Sequence, residues 1–141
     1  MKSQRDPNPS GLKGKKIAVP QKKGRGFWGP PHWTCIHSDA AAYKPEKAVA
    51  FKTLMYCLPE LLPCEECCAN LKKNLAKYPI DGYLRNNHDL FLWTYILHDA
   101  VNQEHNHMKP REPPKYSPPF EQVKQFYFKA LAEECKACQT P

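Results

Sequence analysis

The stretch Leu62-Pro63-Cys64-Glu65-Glu66-Cys67 decides how the chain folds around its cysteines. Proline is favoured at the first helical position because its missing N–H would have no partner there, so a helix is expected to begin here. Residues three apart lie on one face of a helix, which allows Cys64 and Cys67 to close a disulfide. The helix N-terminus also stabilises a thiolate. The stretch therefore predicts a dithiol that is poised for redox exchange.

The rest of the chain supports one domain and a basic tail. A length of 141 residues is enough for a single buried core. The formal net charge is +7. Much of it comes from residues 1–26, which are polar and show no apolar periodicity, so a disordered basic tail is predicted there. Such a tail either binds nucleic acid or a membrane surface or only keeps the protein soluble. The last interpretation is favoured because solvated tails are common.

The sequence points to a reducing compartment. No stretch approaches the ~20 apolar residues of a transmembrane helix, and no apolar segment follows the N-terminal charges as in a secretory signal. We therefore expect a cytoplasmic protein that does not bind membranes. Seven cysteines are many for such a protein. In that compartment Cys-x-x-Cys pairs are more often catalytic or metal-binding than structural.

Apolar periodicity predicts an all-α protein. No alternation typical of β-strands is present, and prolines and turn residues separate five segments with helical spacing. The predicted fold class is a four-helix bundle plus a short fifth helix, in a domain of residues 27–134. The predicted helices cover residues 32–43, 46–58, 64–77, 89–103 and 121–134. The apolar positions expected to face the core are Val49, Ala50, Leu54 and Leu58 on the second helix, and Val123, Phe126, Tyr127 and Leu131 on the fifth.

A second pair, Cys135-x-x-Cys138, lies in the segment 135–141. If all four cysteines bound one zinc ion, the site would be structural. Zinc ribbons separate their pairs by ~15–20 residues, whereas 67 residues lie between Cys67 and Cys135. In the other interpretation, the Cys135–Cys138 pair is a shuttle that delivers reducing equivalents to the inner pair. The alternative function is thus a small zinc-binding helical module with a basic tail for nucleic acid.

Two further pairs suggest a pocket for a flat cofactor. Trp33 and His37 are four apart on the first predicted helix, and His98 and Asn102 are four apart on the fourth, so each pair shares a helix face. Aromatic rings, imidazole and amide groups suit a heteroaromatic ligand. Each residue also has a plainer interpretation, as a core Trp, a satisfied His or an Asn near a helix end.

Three motifs in order carry a family resemblance. They are Gly29-Pro-Pro-His-Trp33-Thr-Cys-Ile-His37, Leu62-Pro63-Cys64-Glu-Glu-Cys67, and Trp93 followed by His98-Asp99-Ala100-Val101-Asn102. Together they resemble the Erv/ALR family of FAD-linked sulfhydryl oxidases, over about residues 27–102. Any one motif alone is weak, but three in this order are specific. The short length resembles the forms of large cytoplasmic DNA viruses, for which the host cytoplasm or the virion would be the location.

The resemblance implies a helical bundle that binds FAD, usually as a homodimer. It also implies a sulfhydryl oxidase activity. Protein dithiols would be oxidised to disulfides, and their electrons would pass through Cys64–Cys67 and FAD to dioxygen, yielding hydrogen peroxide. Cys67 would be the thiol next to the flavin and Cys64 the outer, interchange thiol. The implied cofactor contacts are Trp33, His37, Tyr43, His98, Val101, Asn102, one or more of His107, Lys109 and Lys115, and Tyr127 or Phe126 on the last helix.

The chain departs from the family pattern at two positions. Asp99 replaces an Asn and, when ionised, only accepts hydrogen bonds. Tyr95 stands where many cellular members carry a structural cysteine, so the disulfide that staples their C-terminal segment is missing. The remaining cysteines, Cys35, Cys57 and Cys68, are expected to be free thiols in the core. The alternative is a disulfide between Cys35 and Cys57 that bridges the first two helices.

Overall fold

The structure is a computed structural model that describes residues 23–138, with side chains up to residue 133. The predicted all-α class is confirmed, and no strand occurs in this range. The predicted tail lies mostly outside the described residues. Five α-helices are present: α1 (Arg25–Ala41), α2 (Ala48–Cys57), α3 (Glu65–Lys77), α4 (Asn87–Met108) and α5 (Phe120–Cys138). Short 3₁₀ turns at Pro45–Lys47, Leu58–Glu60 and Asp81–Tyr83 join them.

Helix α1 begins earlier than predicted. It starts at Arg25, which was expected to belong to the tail, and continues through Pro30 and Pro31. A proline removes one N–H, so only the carbonyls four residues before each lose their helical partner. These are the carbonyls of Gly26 and Phe27, so the missing hydrogen bonds are confined to the start of α1. Gly24 precedes the helix with a φ of 57°, a conformation that glycine adopts at little cost. The expected start at residue 32 was therefore wrong.

Helix α4 lies at the centre and packs against α1, α3 and α5. Its buried side chains include Leu90, Phe91, Trp93 and Leu97, all fully enclosed. The Trp93 indole donates a hydrogen bond to the Tyr78 carbonyl, 2.9 Å from Nε1 to oxygen, so its polar atom is satisfied. A 22-residue helix thus holds the centre of the core and carries the predicted His98 and Asn102 motif along its length.

Of the core positions predicted for the second helix, Leu58, just beyond α2, is buried, whereas α2 itself buries a different face from the one predicted. Phe51 and Met55 are buried, while Val49 is 80 % exposed and Leu54 is also exposed. Both sets recur at helical spacing, so periodicity alone did not distinguish them. The Phe51 ring packs edge-on against Trp93, with ring centroids 6.5 Å apart. The larger aromatic side chain therefore determines which face of α2 turns inward.

Helix α5 is longer than predicted, with 19 residues. Three of its predicted inward residues do pack against the core: Val123, Tyr127 and Leu131. Phe126 was wrongly included, because its side chain is 68 % exposed. Phe128 packs instead, edge-on against Phe91 with ring centroids 5.4 Å apart. Aromatic residues at three consecutive positions made this face ambiguous in the sequence.

Candidate active site: a disulfide beside an aromatic cleft

The inner cysteine pair lies at the start of α3. Cys64 and Cys67 form a disulfide, with Cα atoms 5.2 Å apart. Cys64 is the N-cap residue, and its sulfur accepts a hydrogen bond from the Cys67 backbone N–H at 3.2 Å. Pro63 lies just before the cap rather than in the first turn, so the helix begins at Glu65. This cap hydrogen bond and the helix N-terminus both favour a thiolate when the pair is reduced.

The three other cysteines whose side chains the structure describes are free, as expected, but none of them is fully buried in the core. Cys35 and Cys57 are exposed, and Cys68 is half-buried. The Cys68 thiol donates to the Leu62 carbonyl, 3.4 Å away. The expectation of buried thiols was wrong for Cys35 and Cys57, which lie on exposed helix faces, and was met only in part by Cys68. Cys68 is thus a free thiol directly adjacent to the disulfide.

A cleft of about 530 Å³ lies beside the disulfide, which is within the size range of small-molecule sites. Of the two bonded cysteines, only Cys67 lines it. A second cavity, of about 570 Å³, adjoins the first. The residues that line both are His98, Asn102, Lys115 and Tyr127. The first cavity is also lined by Arg25, Trp28, Trp33, Val101, His105 and Lys109. The two cavities share four lining residues and are together called the cleft.

The structure brings the two predicted residue pairs together. The Trp33 and His98 rings are stacked, with centroids 4.1 Å apart and planes inclined by 5°. The His37 Nε2 lies 3.0 Å from His98 Nδ1. On its other side, the His37 ring lies 5.2 Å from the Tyr127 ring. Four aromatic side chains from α1, α4 and α5 therefore form a single cluster at the cleft.

Thr94 is a site residue that the sequence analysis missed. Its hydroxyl oxygen lies 2.9 Å from His37 Nδ1 and donates to the Phe91 carbonyl at 2.7 Å. Thr94 is fully buried. It precedes His98 by four positions on α4, so the helix spacing that identified His98 and Asn102 also contained it.

The two histidines are kept neutral. Burial, together with the smaller effect of the neighbouring His98, lowers the pKa of His37 to about 3. Burial also lowers the pKa of His98 to about 4; the charge of Lys115 acts in the same direction and that of Asp99 opposes it. Burial disfavours a charged imidazole, so each ring carries one N–H at neutral pH.

The connector between α4 and α5 is fastened to α4. The Ser117 hydroxyl donates to Asp99 Oδ1 at 2.8 Å and accepts from Asn102 Nδ2 at 3.1 Å. Asn106 makes two hydrogen bonds of 2.7 Å with the Lys115 backbone. The Tyr95 hydroxyl donates to the Pro118 carbonyl at 2.6 Å. Tyr95 and Asp99, the two departures from the family pattern, thus both hold the connector, and Asp99 acts as an acceptor.

The predicted basic residues divide into two groups. Lys109 and Lys115 line the cleft, whereas His107 is exposed and is not part of the lining. His105 lines it instead, with a side chain only 8 % exposed and no hydrogen-bond partner for either ring nitrogen. Its Nε2 lies 3.5 Å from a Glu112 carboxylate oxygen without the alignment of a hydrogen bond.

Tyr43 is the other predicted contact that the structure places elsewhere. Its ring is buried, 6.2 Å from that of Phe51, and its hydroxyl donates to the Leu84 carbonyl at 2.8 Å. It belongs to the hydrophobic core and lies outside the lining of both cavities. The Tyr43 hydroxyl thus has its hydrogen-bond partner within the fold and does not need one from a ligand.

The terminal cysteine pair lies at the limit of what the structure describes. The α5 backbone runs to Cys138, and the side chains of Cys135 and Cys138 lie outside the described residues. The zinc interpretation needs Cys64 and Cys67 as free thiolates, whereas they are bonded to each other. Within residues 23–133, no group of three or more potential metal ligands occurs. Among the helices described, none has the length and apolar character needed to cross a membrane.

Comparison with known proteins gives one match. The sequence model of the Erv1 / Alr family matches residues 30–123, which is more than half of the chain. No curated protein and no solved structure matches. The matched range includes the disulfide, Trp33, both histidines of the cluster and Asn102.

Proposed function

The chain belongs to the Erv1 / Alr family, and we propose that it is an FAD-dependent sulfhydryl oxidase that forms disulfides in protein dithiols. Members of the family are generally thiol oxidases. The observation that carries the proposal is the Cys64–Cys67 disulfide, of which only Cys67 lines the aromatic cleft. Cys67 thus lies beside the candidate cofactor site, which supports the assignment of Cys64 as the sulfur that the substrate attacks.

The cleft residues fit FAD. Trp33 and Tyr127 offer flat ring surfaces, and Asn102 offers an amide. A buried imidazole without a hydrogen-bond partner, as in His105, costs free energy unless a ligand pairs with it. Lys109 and Lys115 supply positive charge for a pyrophosphate. Bound there, FAD would supply the acceptor for the electron pair of the reduced dithiol and the route of these electrons to dioxygen, with hydrogen peroxide as the product.

The chain's own contribution is thiol–disulfide exchange. A substrate thiolate attacks the Cys64 sulfur, a substrate–Cys64 disulfide forms, and Cys67 leaves as a thiolate. The second substrate thiolate then attacks its partner sulfur and Cys64 leaves, so the substrate carries a disulfide and the chain two thiols. The N-terminus of α3 stabilises both leaving thiolates. Glu65 and Glu66 in its first turn partly oppose this effect.

Replacing Cys67 tests the assignment, with its neighbour as a matched control. The Cys67→Ser protein is expected to retain FAD and to lose thiol-dependent oxygen consumption, because no internal disulfide can form. The Cys68→Ser protein removes an equally sized free thiol one position away and is expected to keep the activity. Oxygen uptake with dithiothreitol measures both. Activity in Cys67→Ser, with FAD bound, would contradict the assignment.

We further propose that Cys135 and Cys138 form the shuttle disulfide that first accepts electrons from a protein substrate. Their location at the end of α5, beyond the cleft-lining Tyr127, supports this. The Cys135→Ser/Cys138→Ser protein is expected to oxidise dithiothreitol normally, since a small thiol reaches Cys64 directly, and a protein dithiol slowly. If the double variant oxidised the protein dithiol at the wild-type rate, the shuttle would be refuted.

The proposed assembly is a homodimer. The outward face of α2 carries Val49 and Tyr56, two turns apart and both exposed, which places them on one side of the helix. Leu61 adds a further exposed apolar side chain just beyond α2. Exposed apolar residues that adjoin one another are typical of an interface between protein chains.

A further inference from the structure

A chain of hydrogen bonds behind the aromatic cluster has a defined direction. The oxygen atoms of the Thr94 hydroxyl and the Phe91 carbonyl are 2.7 Å apart. A carbonyl only accepts, so the single hydroxyl proton of Thr94 lies between these two atoms. The Thr94 oxygen can therefore only accept from His37 Nδ1, which is 2.9 Å away. His37 must carry its proton on Nδ1.

The direction passes from His37 to His98. With both rings neutral, a His37 protonated at Nδ1 has a lone pair at Nε2. That nitrogen lies 3.0 Å from His98 Nδ1, so His98 must donate from Nδ1. The nitrogen that His37 does not engage, His98 Nε2, is then an acceptor. His98 lines both cavities of the cleft.

A second series of hydrogen bonds, through Ser117 and Asp99, also leaves the neighbouring Asn102 with a free acceptor. An ionised Asp99 only accepts, so the Ser117 hydroxyl proton lies on the 2.8 Å contact with Asp99 Oδ1. The Ser117 oxygen must then accept from Asn102 Nδ2, 3.1 Å away. This orients the Asn102 amide with its oxygen away from the connector. His98 and Asn102 are one helical turn apart, so two acceptors stand side by side.

We propose that Thr94 is a positioning residue that, through His37, fixes His98 as a hydrogen-bond acceptor towards the cleft, and that Asp99 does the same for Asn102 through Ser117. The cleft wall along α4 is thereby specific for a flat ligand edge that presents N–H donors. A ligand edge of carbonyl oxygens would face the acceptors of His98 and Asn102, and neither the ligand oxygens nor these two acceptors would have a hydrogen-bond donor. The ligand part of this inference rests on the proposed function, since FAD offers N–H groups on both of its ring systems.

The tautomers can be measured without flavin. In full-length protein labelled with ¹⁵N in histidine, the ring nitrogen shifts distinguish Nδ1–H from Nε2–H. The wild-type protein is expected to show Nδ1–H for both His37 and His98. The Thr94→Val protein, which keeps the side-chain shape but lacks the acceptor, is expected to shift both rings to Nε2–H. Thr94→Ser restores the hydroxyl and is expected to retain the wild-type pattern.

The wild-type spectrum alone is decisive if Thr94→Val does not fold: an Nε2–H form of His98 would overturn the inference. So would an unchanged pattern in a folded Thr94→Val protein. The ligand part is tested by FAD affinity at neutral pH, which is expected to be at least about tenfold weaker in Thr94→Val than in Thr94→Ser. Equal affinities with switched tautomers would refute the ligand part only, and absent FAD binding in every protein, wild type included, would refute the proposed function as well.

Discussion

At the scale of single residues, the buried histidines make stability depend on pH. Unfolded histidine titrates near its ordinary value, whereas burial lowers the pKa of His37 to about 3 and that of His98 to about 4. Below about pH 6.5 the unfolded chain therefore binds protons that the folded chain does not. Stability is fully present above that pH and is lost as the pH falls towards the folded values.

We expect the free energy of unfolding to fall by about 1 kcal/mol per pH unit for each histidine between pH 6 and pH 4.5. Urea unfolding at a series of pH values measures this. The His37→Gln protein lacks one of the two protons and is expected to show a shallower slope, whatever its absolute stability. An identical slope in the wild type and in His37→Gln would contradict the account.

His105 allows a test in which stability and cofactor affinity move in opposite directions. Its buried ring has no hydrogen-bond partner, and an unpaired buried polar group costs about 1–3 kcal/mol. Without FAD, the free energy of unfolding of the His105→Leu protein is therefore expected to be about 1 kcal/mol higher than that of the wild type. The same protein is expected to bind FAD more weakly. Chemical denaturation and a flavin titration measure the two quantities. Tighter or unchanged FAD binding would show that His105 does not contact the ligand.

At the scale of elements, the connector depends on α4 for its position. Asn106 makes two hydrogen bonds with the Lys115 backbone, and Lys115 lines the cleft. We expect Asn106→Ala to lower the free energy of unfolding by about 1 kcal/mol and to weaken FAD binding, because Lys115 is no longer held in place. His107→Ala, an exposed change one position away, is the control. If Asn106→Ala lost stability but kept the wild-type affinity for FAD, the position of the connector would not affect FAD binding.

The sequence predicted where the helices lie along the chain better than it predicted which face of each helix is buried. Helical periodicity and proline positions located all five helices, and the i, i+4 spacing of Trp33 with His37 and of His98 with Asn102 indicated the site. Periodicity did not indicate which apolar stripe of α2 turns inward, because Phe51 is selected by its contact with Trp93, from a distant part of the sequence. The start of α1 was missed because Pro30 and Pro31 indicated a helix boundary, whereas α1 continues through both of them.

Other site residues depend on contacts that only the fold provides. Thr94 acts through a histidine on another helix, so its i, i+4 spacing to His98 places it on the right face of α4 but does not indicate that role. His105 was passed over for His107 because neighbouring basic residues on one helix look equivalent until burial separates them. Tyr43 was assigned to the cofactor from the resemblance alone, and its hydroxyl is paired with Leu84 in the core.

At the scale of the whole molecule, the exposed face of α2 predicts association. Val49 is 80 % exposed, and burying such a side chain in an interface is favourable by about 1.5 kcal/mol or more. The Val49→Lys protein is expected to sediment as a monomer at concentrations where the wild type is dimeric, with unchanged helical circular dichroism. Tyr116→Lys alters a side chain of equal exposure on the connector and is expected to leave the dimer intact. Dissociation by Tyr116→Lys and not by Val49→Lys would place the interface elsewhere.

The central claim is that the Cys64–Cys67 disulfide exchanges electrons with FAD bound in the neighbouring cleft. The most direct measurement is the visible absorbance spectrum of the purified protein, followed by oxygen uptake after addition of dithiothreitol. The account predicts the absorbance of an oxidised flavin that is bleached when oxygen is exhausted, together with thiol-dependent oxygen consumption that yields hydrogen peroxide. A colourless protein that neither takes up FAD nor consumes oxygen would contradict it.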